Sequence, residues 1–306
     1  MKVLITGVCP DWVMKQLEIL GHKVVAVAGD AYVDEAKFCE SIKGVDVYVV
    51  GGLEKCTANV IQASDTLKAI IFLGVDYKAY IDVVAAAEKN IPIFNTPGAN
   101  ARAVAELAFL LILLSARKAT RMLSDAQHKT WESQTGFELQ GKTLGLLGSG
   151  PIAQQTSRIG LGFGMNVFYW SRSGARQSMA GQYRELDVVF SESDILSLHL
   201  PFAVGTFIDK TALDKMQPHT VLINTCPAKL VDADALYSAL RNNKLCAAAF
   251  DPFYTEGKGA WACAEAKLFE LGNEKFFITP HAGWRTVEAD NNMFKIAIDY
   301  IKDIRL

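Results

Sequence analysis

Short apolar runs alternate with amphipathic stretches along the first third of the chain. The apolar runs have the length of buried parallel strands and predict five of them: Val3–Gly7, Val24–Ala28, Val45–Val50, Ala69–Leu73 and Ile91–Phe94. The intervening stretches repeat apolar residues at helical spacing and predict helices at Trp12–Leu20, Asp34–Ile42, Ala58–Ala63 and Ile81–Lys89. This strand–helix rhythm predicts a parallel sheet with helices on both faces.

A long apolar helix and a second strand–helix series occupy the rest of the chain. The helix is predicted from Asn100 to Met122, and its apolar character predicts burial at a domain junction. Further strands are predicted at Thr143–Leu147, Val167–Trp170, Ile195–Leu198, Val221–Asn224, Ala247–Phe250 and Phe276–Thr279. Further helices are predicted at Ile152–Leu161, Thr211–Lys215, Asp232–Asn242 and Val287–Ile304. We therefore predict an α/β fold with two doubly wound parallel sheets.

Between a predicted strand and a predicted helix, the stretch Gly148–Ala153 has the pattern Gly-x-Gly-x-x-Ala. Gly148 allows a sharp turn, and Gly150 lets the backbone approach a pyrophosphate. Pro151 is tolerated as the first helical residue, where its missing N–H would have no partner. The free N–H groups of the helix start favour phosphate, so we predict dinucleotide binding by Gly148, Gly150, Pro151 and Ile152. The alternative is a glycine turn with a purely structural role.

The end of the next strand bears on the choice of cofactor. An Asp or Glu there would bind the ribose hydroxyls of NAD, but the chain has Ser171, Arg172 and Ser173. These residues, with Arg176 as a second cation, could hold a 2′-phosphate. We predict NADP(H) as the preferred cofactor; NAD(H) stays open as the alternative if Arg172 is only a solvated strand-end charge.

Composition narrows the class of protein. Half of the 306 residues are hydrophobic and the formal net charge is −2, which argues against a nucleic-acid partner. The longest apolar run, Leu107–Leu114, is too short to span a membrane. The six cysteines are scattered without a C-x-x-C pair, as is typical of reduced thiols rather than of a zinc site or disulfides. We expect a cytoplasmic protein without a metal, acting on a small molecule.

Several blocks of the chain resemble the D-isomer-specific 2-hydroxyacid dehydrogenase family, and the resemblance covers nearly all of it. The blocks are Asn95–Asn100 with Ala103–Glu106, Gly141–Gly145, Ser197–Pro201, Val221–Thr225 and Thr279–Gly283. The resemblance implies two Rossmann-like domains, with a nucleotide-binding domain (99–285) inserted into a substrate domain (1–98 plus 286–306). It also implies an active site in the cleft and a homodimer. Further cofactor contacts implied by the family are His199, Pro201, Thr225, Cys226 and Asp251.

The family transfers hydride between nicotinamide and the α-carbon of a 2-keto or 2-hydroxy acid. His281, in Thr279–His281, matches the position of its acid/base histidine. The stretch Asp251–Glu256 resembles the family pattern Asp-Val-Phe-x-x-Glu, which places Glu256 at the carboxylate that supports the histidine. A carboxylate on one ring nitrogen fixes the tautomer and stabilises the imidazolium. The catalytic pair implied by the resemblance is therefore His281 and Glu256.

The substrate-binding positions depart from the family. Where the family has the arginine that holds the substrate carboxylate, the chain has Pro227. Loss of such a cation commonly costs several kcal/mol, or about a hundredfold to ten-thousandfold in rate. The loop Gly74-Val75-Asp76 stands where the family has a glycine-rich turn that binds carboxylate, and Asp76 would repel that group. Ordinary 2-keto acids should therefore be poor substrates.

Three functions remain open from the sequence. The first is a working reductase whose carbonyl or imine substrate lacks the usual carboxylate, which the retained His281 and Glu256 favour. The second is a nucleotide-binding protein that has lost turnover and acts as a sensor or regulator, which Pro227 and Asp76 favour. The third is an ordinary keto-acid reductase in which another cation replaces the arginine, such as Lys229, Arg285 or Lys78.

Overall fold

The computed structural model describes residues 1–27, 34–52, 54–201 and 205–304. It separates into two compact units, one formed by Met1–Asn100 with the chain from Thr286 onward, the other by Ala101–Arg285. The assignment of residues 1–98 plus 286–306 to a substrate domain and of 99–285 to a nucleotide domain stays a prediction. None of the helices in the described part of the chain has the length and apolar character needed to cross a membrane.

The first unit is built on a five-stranded parallel sheet. Its strands are β1 (Lys2–Thr6), β2 (Lys23–Val27), β3 (Val47–Val50), β4 (Ala69–Phe72) and β5 (Ile93–Asn95), in the order β2-β1-β3-β4-β5. Its helices are α1 (Asp11–Ile19), α2 (Glu35–Ser41), α3 (Ala58–Ala63), α4 (Val83–Glu88) and the C-terminal α11 (Val287–Asp303). The residues of the central strands β3 and β4 are buried on both faces, as the continuous apolar runs predict.

Long-range contacts attach α11 to the rest of the first unit although it lies almost two hundred residues away in sequence. The Trp12 indole N–H donates to Asn291 Oδ1 at 2.6 Å. The rings of Phe94 and Tyr300 stack with their centroids 4.7 Å apart. The Thr286 hydroxyl caps α11 by accepting a hydrogen bond from the N–H of Ala289. The last helix therefore completes the first unit rather than the second.

The second unit is built on a seven-stranded parallel sheet. Its strands are β6 (Thr143–Leu147), β7 (Asn166–Trp170), β8 (Gln182–Tyr183), β9 (Ile195–Leu198), β10 (Val221–Asn224), β11 (Ala247–Phe250) and β12 (Phe276–Ile278), in the order β12-β11-β10-β9-β6-β7-β8. Its helices are α5 (Ala101–Ala116), α6 (Ala119–Gln127), α7 (Pro151–Gly162), α8 (Leu186–Glu192), α9 (Lys210–Asp214) and α10 (Ala233–Arg241). Alternate residues of the strands face two apolar clusters, one containing Leu147 and Phe250 and the other containing Leu146, Ala249 and the buried face of α5.

The predicted fold class, two doubly wound parallel sheets with the second unit inserted into the first, is confirmed. The single helix predicted from Asn100 to Met122 is wrong, because α5 ends at Ala116 and α6 begins at Ala119. Lys118 between them has the left-handed φ of 51°, a break without a glycine or proline to announce it in the sequence. Neither β8 nor α8 was predicted, and Ala28 of the predicted second strand lies outside the described residues.

Candidate active site

The glycine turn after β6 has a backbone conformation that requires glycine at its first position, Gly148. Gly148 has φ 123°, and a Cβ there would lie 2.3 Å from the carbonyl oxygen of His199. Gly150 precedes Pro151 at the start of α7, and a Cβ there would meet no atom within 4 Å. The start of α7 is therefore open in front of Gly150, with unpaired N–H groups and the positive end of the helix dipole directed outward.

Buried polar atoms without partners lie at the carboxyl ends of β9 and β10. Among the described residues, His199 Nδ1, Asn224 Nδ2 and Thr225 Oγ1 are buried and form no hydrogen bond. Unpaired buried polar groups are costly, so their presence together indicates that a polar ligand supplies their partners. Ligands of open α/β sheets bind beyond the carboxyl ends of the strands. The turn and these atoms thus fit a dinucleotide, whose diphosphate would lie at α7.

The His199 ring is held in its neutral form. Burial lowers the pKa of His199 from its usual 6.5 to about 3, and its Nε2 lies 3.1 Å from Ser197 Oγ. A neutral imidazole can donate from one nitrogen and accept at the other. The unpaired Nδ1 is therefore a fixed contact for a ligand atom rather than an acid or base.

At the end of β7, the predicted phosphate-binding residues form a turn. The Ser171 hydroxyl donates to the carbonyl of Gly174 at 2.6 Å. The guanidinium of Arg176 donates to Ser173 Oγ from Nε and Nη2, at 3.0 and 2.8 Å. Arg172 is exposed. The structure thus brings Ser173 and Arg176 together, with Arg172 next to Ser173 in the chain. The turn after β7 therefore carries two positive charges.

The histidine and glutamate predicted as a pair lie within hydrogen-bond distance. His281 Nδ1 and Glu256 Oε2 are 3.0 Å apart, with 27% and 39% of the side chains exposed. Nε2 of His281 has no partner among the described residues, so this nitrogen is available to a substrate. His281 also has φ 55°, a left-handed conformation that non-glycine residues adopt only when the surroundings hold it.

Asp251 supplies much of that restraint. Its buried carboxylate accepts hydrogen bonds from the Thr279 hydroxyl and from the N–H groups of Ala282 and Gly283, each at 2.8 Å. A Cβ on Gly283 would lie 2.9 Å from Asp251 Oδ2, so a glycine lets the loop approach this closely. The carboxylate assigned above to cofactor binding therefore fixes the backbone on both sides of His281. No local sequence pattern indicates this contact, because the partners lie 28 to 32 residues apart.

Among the described residues, neither of the second unit's candidate replacement cations, Lys229 and Arg285, has its side chain held by a hydrogen bond or an ion pair. Pro227 is half-buried and opens a short 3₁₀ turn at Ala228–Leu230. Lys229, the replacement considered from the sequence, is exposed, and the Arg285 guanidinium lies 4.7 Å from the centre of the Trp284 ring. The Cys226 thiol donates to the carbonyl of Leu198 at 3.1 Å, and burial raises its pKa to about 12, so it is not a nucleophile.

The loop Gly74–Asp76 of the first unit uses its first N–H internally. The N–H of Gly74 donates to Thr96 Oγ1 at 2.9 Å and to the Phe72 carbonyl at 3.0 Å. Val75 and Asp76 are exposed. The N–H of Gly74 is thus not free to bind a substrate carboxylate. The negative charge of Asp76 would repel such a carboxylate. Lys78, two residues on, is exposed.

Comparison with known proteins identifies relatives along the whole chain. Residues 109–283 match the family model described as D-isomer specific 2-hydroxyacid dehydrogenase, NAD binding domain. The hydroxypyruvate reductase of Thermotoga maritima is 34% identical over 291 residues, which cover 94% of this chain and 92% of that protein. The glyoxylate reductase of Pyrococcus furiosus is 31% identical over 314 residues, covering 96% and 89%. Among solved structures, an acyclic imino acid reductase in complex with NADPH and D-Arg is similar with a TM-score of 0.80 and 26% identity, covering 99% of this chain and 96% of that one.

Proposed function

The chain belongs to the D-isomer-specific 2-hydroxyacid dehydrogenase family of nicotinamide-dependent oxidoreductases, and from this premise we propose that it reduces a carbonyl or imine carbon with His281 as the acid/base. The observation that carries the proposal is the 3.0 Å contact between His281 Nδ1 and Glu256 Oε2. A protein kept only for binding has no use for a histidine supported in this way.

The roles of the residues follow from the geometry. A bound nicotinamide cofactor would supply the hydride. Glu256 accepts from Nδ1 of His281, which leaves Nε2 to give its proton to the oxygen or nitrogen atom that gains negative charge. Glu256 then stabilises the imidazolium in the reverse direction, when His281 takes a proton from the alcohol or amine. Asp251 keeps His281 in its left-handed backbone conformation, so the ring does not have to be ordered anew in each turnover.

We propose that the substrate lacks the carboxylate used by ordinary members of the family. Pro227 carries neither charge nor donor at the position of the family's arginine, and Gly74 N–H is already bonded to Thr96. The hydroxypyruvate and glyoxylate reductases named above act on 2-keto acids by their names. The imino acid reductase, by its name, acts on an imine that carries a carboxylate, so it supports an imine as the reacting group but not the loss of the carboxylate. A ketone or imine without a carboxylate on the reacting carbon agrees best with the substrate-side residues.

For the cofactor we propose a preference for NADP(H). Arg172 and Arg176 follow the end of β7, where a carboxylate would bind the ribose of NAD, and Ser173 Oγ is bonded to the Arg176 guanidinium. Two cations and two hydroxyls at this strand end match the charge of a 2′-phosphate.

We also propose a cytoplasmic homodimer without a nucleic-acid partner. The scattered cysteines support a cytoplasmic location, and the net charge of −2 supports the absence of a nucleic-acid partner. Self-association is supported by α6, which has no buried residue, and by the fully exposed Trp131 after it.

The second candidate function is a nucleotide-binding sensor without turnover. Pro227 and the occupied N–H of Gly74 favour it, since both remove anchors for the usual substrate. The third, a keto-acid reductase with a relocated cation, is disfavoured by the exposure of Lys229 and Arg285.

One experiment separates the three functions. Oxidation of NADPH and NADH by the purified protein is followed over a panel of 2-keto acids, ketones without a carboxylate and cyclic imines. The proposal expects turnover of the last two classes with NADPH preferred, loss of nearly all turnover in His281→Ala, and a shift toward keto acids in Pro227→Arg. In Arg172→Ala the KM for NADPH should rise about tenfold while that for NADH is unchanged.

Three other results would contradict the proposed reductase or the role of His281. Turnover by Pro227→Arg alone would make the natural protein a binding protein. Efficient keto-acid reduction by the natural protein would support a relocated cation. An unchanged rate in His281→Ala would contradict the assigned acid/base.

A further inference from the structure

A carboxylate at the edge of the first unit's sheet has no role in the reaction described so far. Glu54 follows β3, and its Oε1 accepts hydrogen bonds from the Tyr48 hydroxyl at 2.6 Å and from the Thr6 hydroxyl. Tyr48 and Thr6 are fully buried, on the adjacent strands β3 and β1. Burial, with the neighbouring Glu54, raises the pKa of Tyr48 well above its usual range, so its hydroxyl stays a donor. Two buried groups thus hold one oxygen of Glu54 in place.

The second oxygen of Glu54 remains available. Within the described residues no group donates to Oε2, and the side chain is partly exposed. A Cβ on Gly52 would lie 2.1 Å from this oxygen, so the glycine is what allows the carboxylate to fold back over the end of β3. The arrangement fixes the carboxylate and leaves one of its oxygens without a donor among the described residues.

Glu54 also lies where ligands of such sheets bind. The carboxyl ends of parallel strands form the binding edge of an open α/β sheet. β3 and β4 are neighbours, with Val50 paired to Phe72, so Glu54 and the loop Gly74–Asp76 follow adjacent strand ends. Exposed Asp76 adds a second negative charge to this edge.

The cations that could neutralise these charges, or hold an anionic substrate, are few. Residues 1–100 contain no arginine, the side chain suited to bidentate carboxylate binding. Lys55 donates to the carbonyl of Ala79 and lies 4.5 Å from the centre of the Tyr80 ring, and within the described part of the chain it forms no ion pair with Glu54. Lys78 is exposed. The carboxyl ends of β3 and β4 are therefore acidic, and the carboxylate of Glu54 is a hydrogen-bond acceptor that is already fixed in place.

We propose that Glu54 is a specificity-determining residue that accepts a hydrogen bond from a cationic nitrogen of the substrate, so that the substrate class is an amine-bearing ketone or imine. This assignment rests on the proposed reductase function. A charge-assisted bond to a fixed carboxylate favours an ammonium or guanidinium group and disfavours a carboxylate by like-charge repulsion.

The test uses three methyl ketones that differ in one group: aminoacetone (cationic), hydroxyacetone (neutral) and acetoacetate (anionic). We expect kcat/KM with NADPH to fall in that order. Glu54→Gln keeps an acceptor for Tyr48 and Thr6 but removes the charge, and it should lower kcat/KM for aminoacetone about tenfold or more while hydroxyacetone changes less than about threefold. Asp76→Asn, at an exposed position, should lower only the aminoacetone value, by about twofold to threefold.

The matched control is Glu40→Gln, because Glu40 is exposed and pairs with Lys43 at the end of α2. It should leave all three values unchanged. An equal loss for all three ketones in Glu54→Gln, or an unchanged preference, would overturn the proposal.

The role of Glu54 can be tested separately if the protein proves to have no reductase activity. If no compound is reduced by the natural protein, binding of aminoacetone and hydroxyacetone to the NADP⁺-saturated protein is measured by NMR line broadening. Selective binding of aminoacetone that Glu54→Gln abolishes would support the assignment of Glu54 without turnover. Equal binding of both ketones, or binding indifferent to the substitution, would overturn it.

Discussion

His199 shows how one partly buried side chain, with a fully buried Nδ1, links the site to the stability of the protein. Its pKa is lowered by burial to about 3, and its Nδ1 finds no partner among the described residues. In the unfolded chain the ring titrates near its usual 6.5. Between these values the unfolded state binds a proton that the folded state does not, so the free energy of unfolding falls as the pH falls through this window. Above pH 6.5 the ring is neutral in both the folded and the unfolded state, so His199 causes no loss in the free energy of unfolding there.

The substitution His199→Gln should therefore change the acid sensitivity of the protein. The gap in free energy of unfolding between the natural protein and the variant should shrink from pH 7 to pH 4 by up to about 1.4 kcal/mol per pH unit, because only the natural protein must keep a neutral histidine. Urea unfolding at each pH measures the gap. His219→Gln, at a side chain that is 60% exposed, is the control. A gap that is constant over the range would show that His199 is accessible to protons.

Among the elements, the turn between β6 and α7 places two glycines under different constraints. A Cβ at Gly148 collides with the backbone of His199, and the φ of 123° is unfavourable for any other residue. A Cβ at Gly150 meets nothing within 4 Å, so the protein by itself does not require glycine there. The requirement at Gly150 comes from the space in front of α7, which the diphosphate would occupy.

Alanine at each glycine should separate folding from cofactor binding. Gly148→Ala should lower the free energy of unfolding by about 2 kcal/mol or more, because both backbone strain and a backbone clash are introduced. Gly150→Ala should leave the melting temperature of the cofactor-free protein within about 1 °C while weakening NADPH binding about tenfold or more. Calorimetric melting and titration measure the two effects. Unimpaired NADPH binding by a folded Gly150→Ala variant would contradict the placement of the diphosphate.

On the scale of the whole molecule, exposed apolar side chains mark one region of the second unit. α6 buries none of its residues, Leu123 is 61% exposed, and Trp131 in the following irregular segment is fully exposed. A tryptophan left in water forgoes a large hydrophobic gain. Covering this region with a second copy of the chain would recover that gain, which agrees with the proposed homodimer.

The double substitution Leu123→Ser and Trp131→Ser should then shift the protein toward a monomer, because it removes apolar area from the proposed contact. Light scattering after size exclusion should give a mass near the 33.5 kDa of one chain for the variant and twice that for the natural protein. Trp261→Ser, at a tryptophan that is 66% exposed elsewhere in the same unit, should leave the mass unchanged. Equal masses for the natural protein and the double variant would contradict this contact.

The sequence predicted regular elements and family membership better than it predicted contacts. The resemblance to the D-isomer-specific 2-hydroxyacid dehydrogenases is confirmed by the family model and by the relatives, and the fold class is confirmed by the two parallel sheets. The break at Lys118 was missed because no glycine or proline marks it. The roles of His281, Glu256, Arg172 and Pro227 stay predictions that the experiments above can decide.

Alternating apolar runs and the glycine turn determined the fold class, because strand and helix formation depend on residues that are near in sequence. Only the tertiary structure decided which polar atoms meet. It turns Asp251 toward the backbone of Gly283 and places Glu54 between the hydroxyls of Tyr48 and Thr6. The contact of Glu256 with His281, across 25 residues, was expected only through the family resemblance. These contacts depend on which strands become neighbours in the sheets and on where the loops after them lead, and neither is written in local patterns of hydrophobicity.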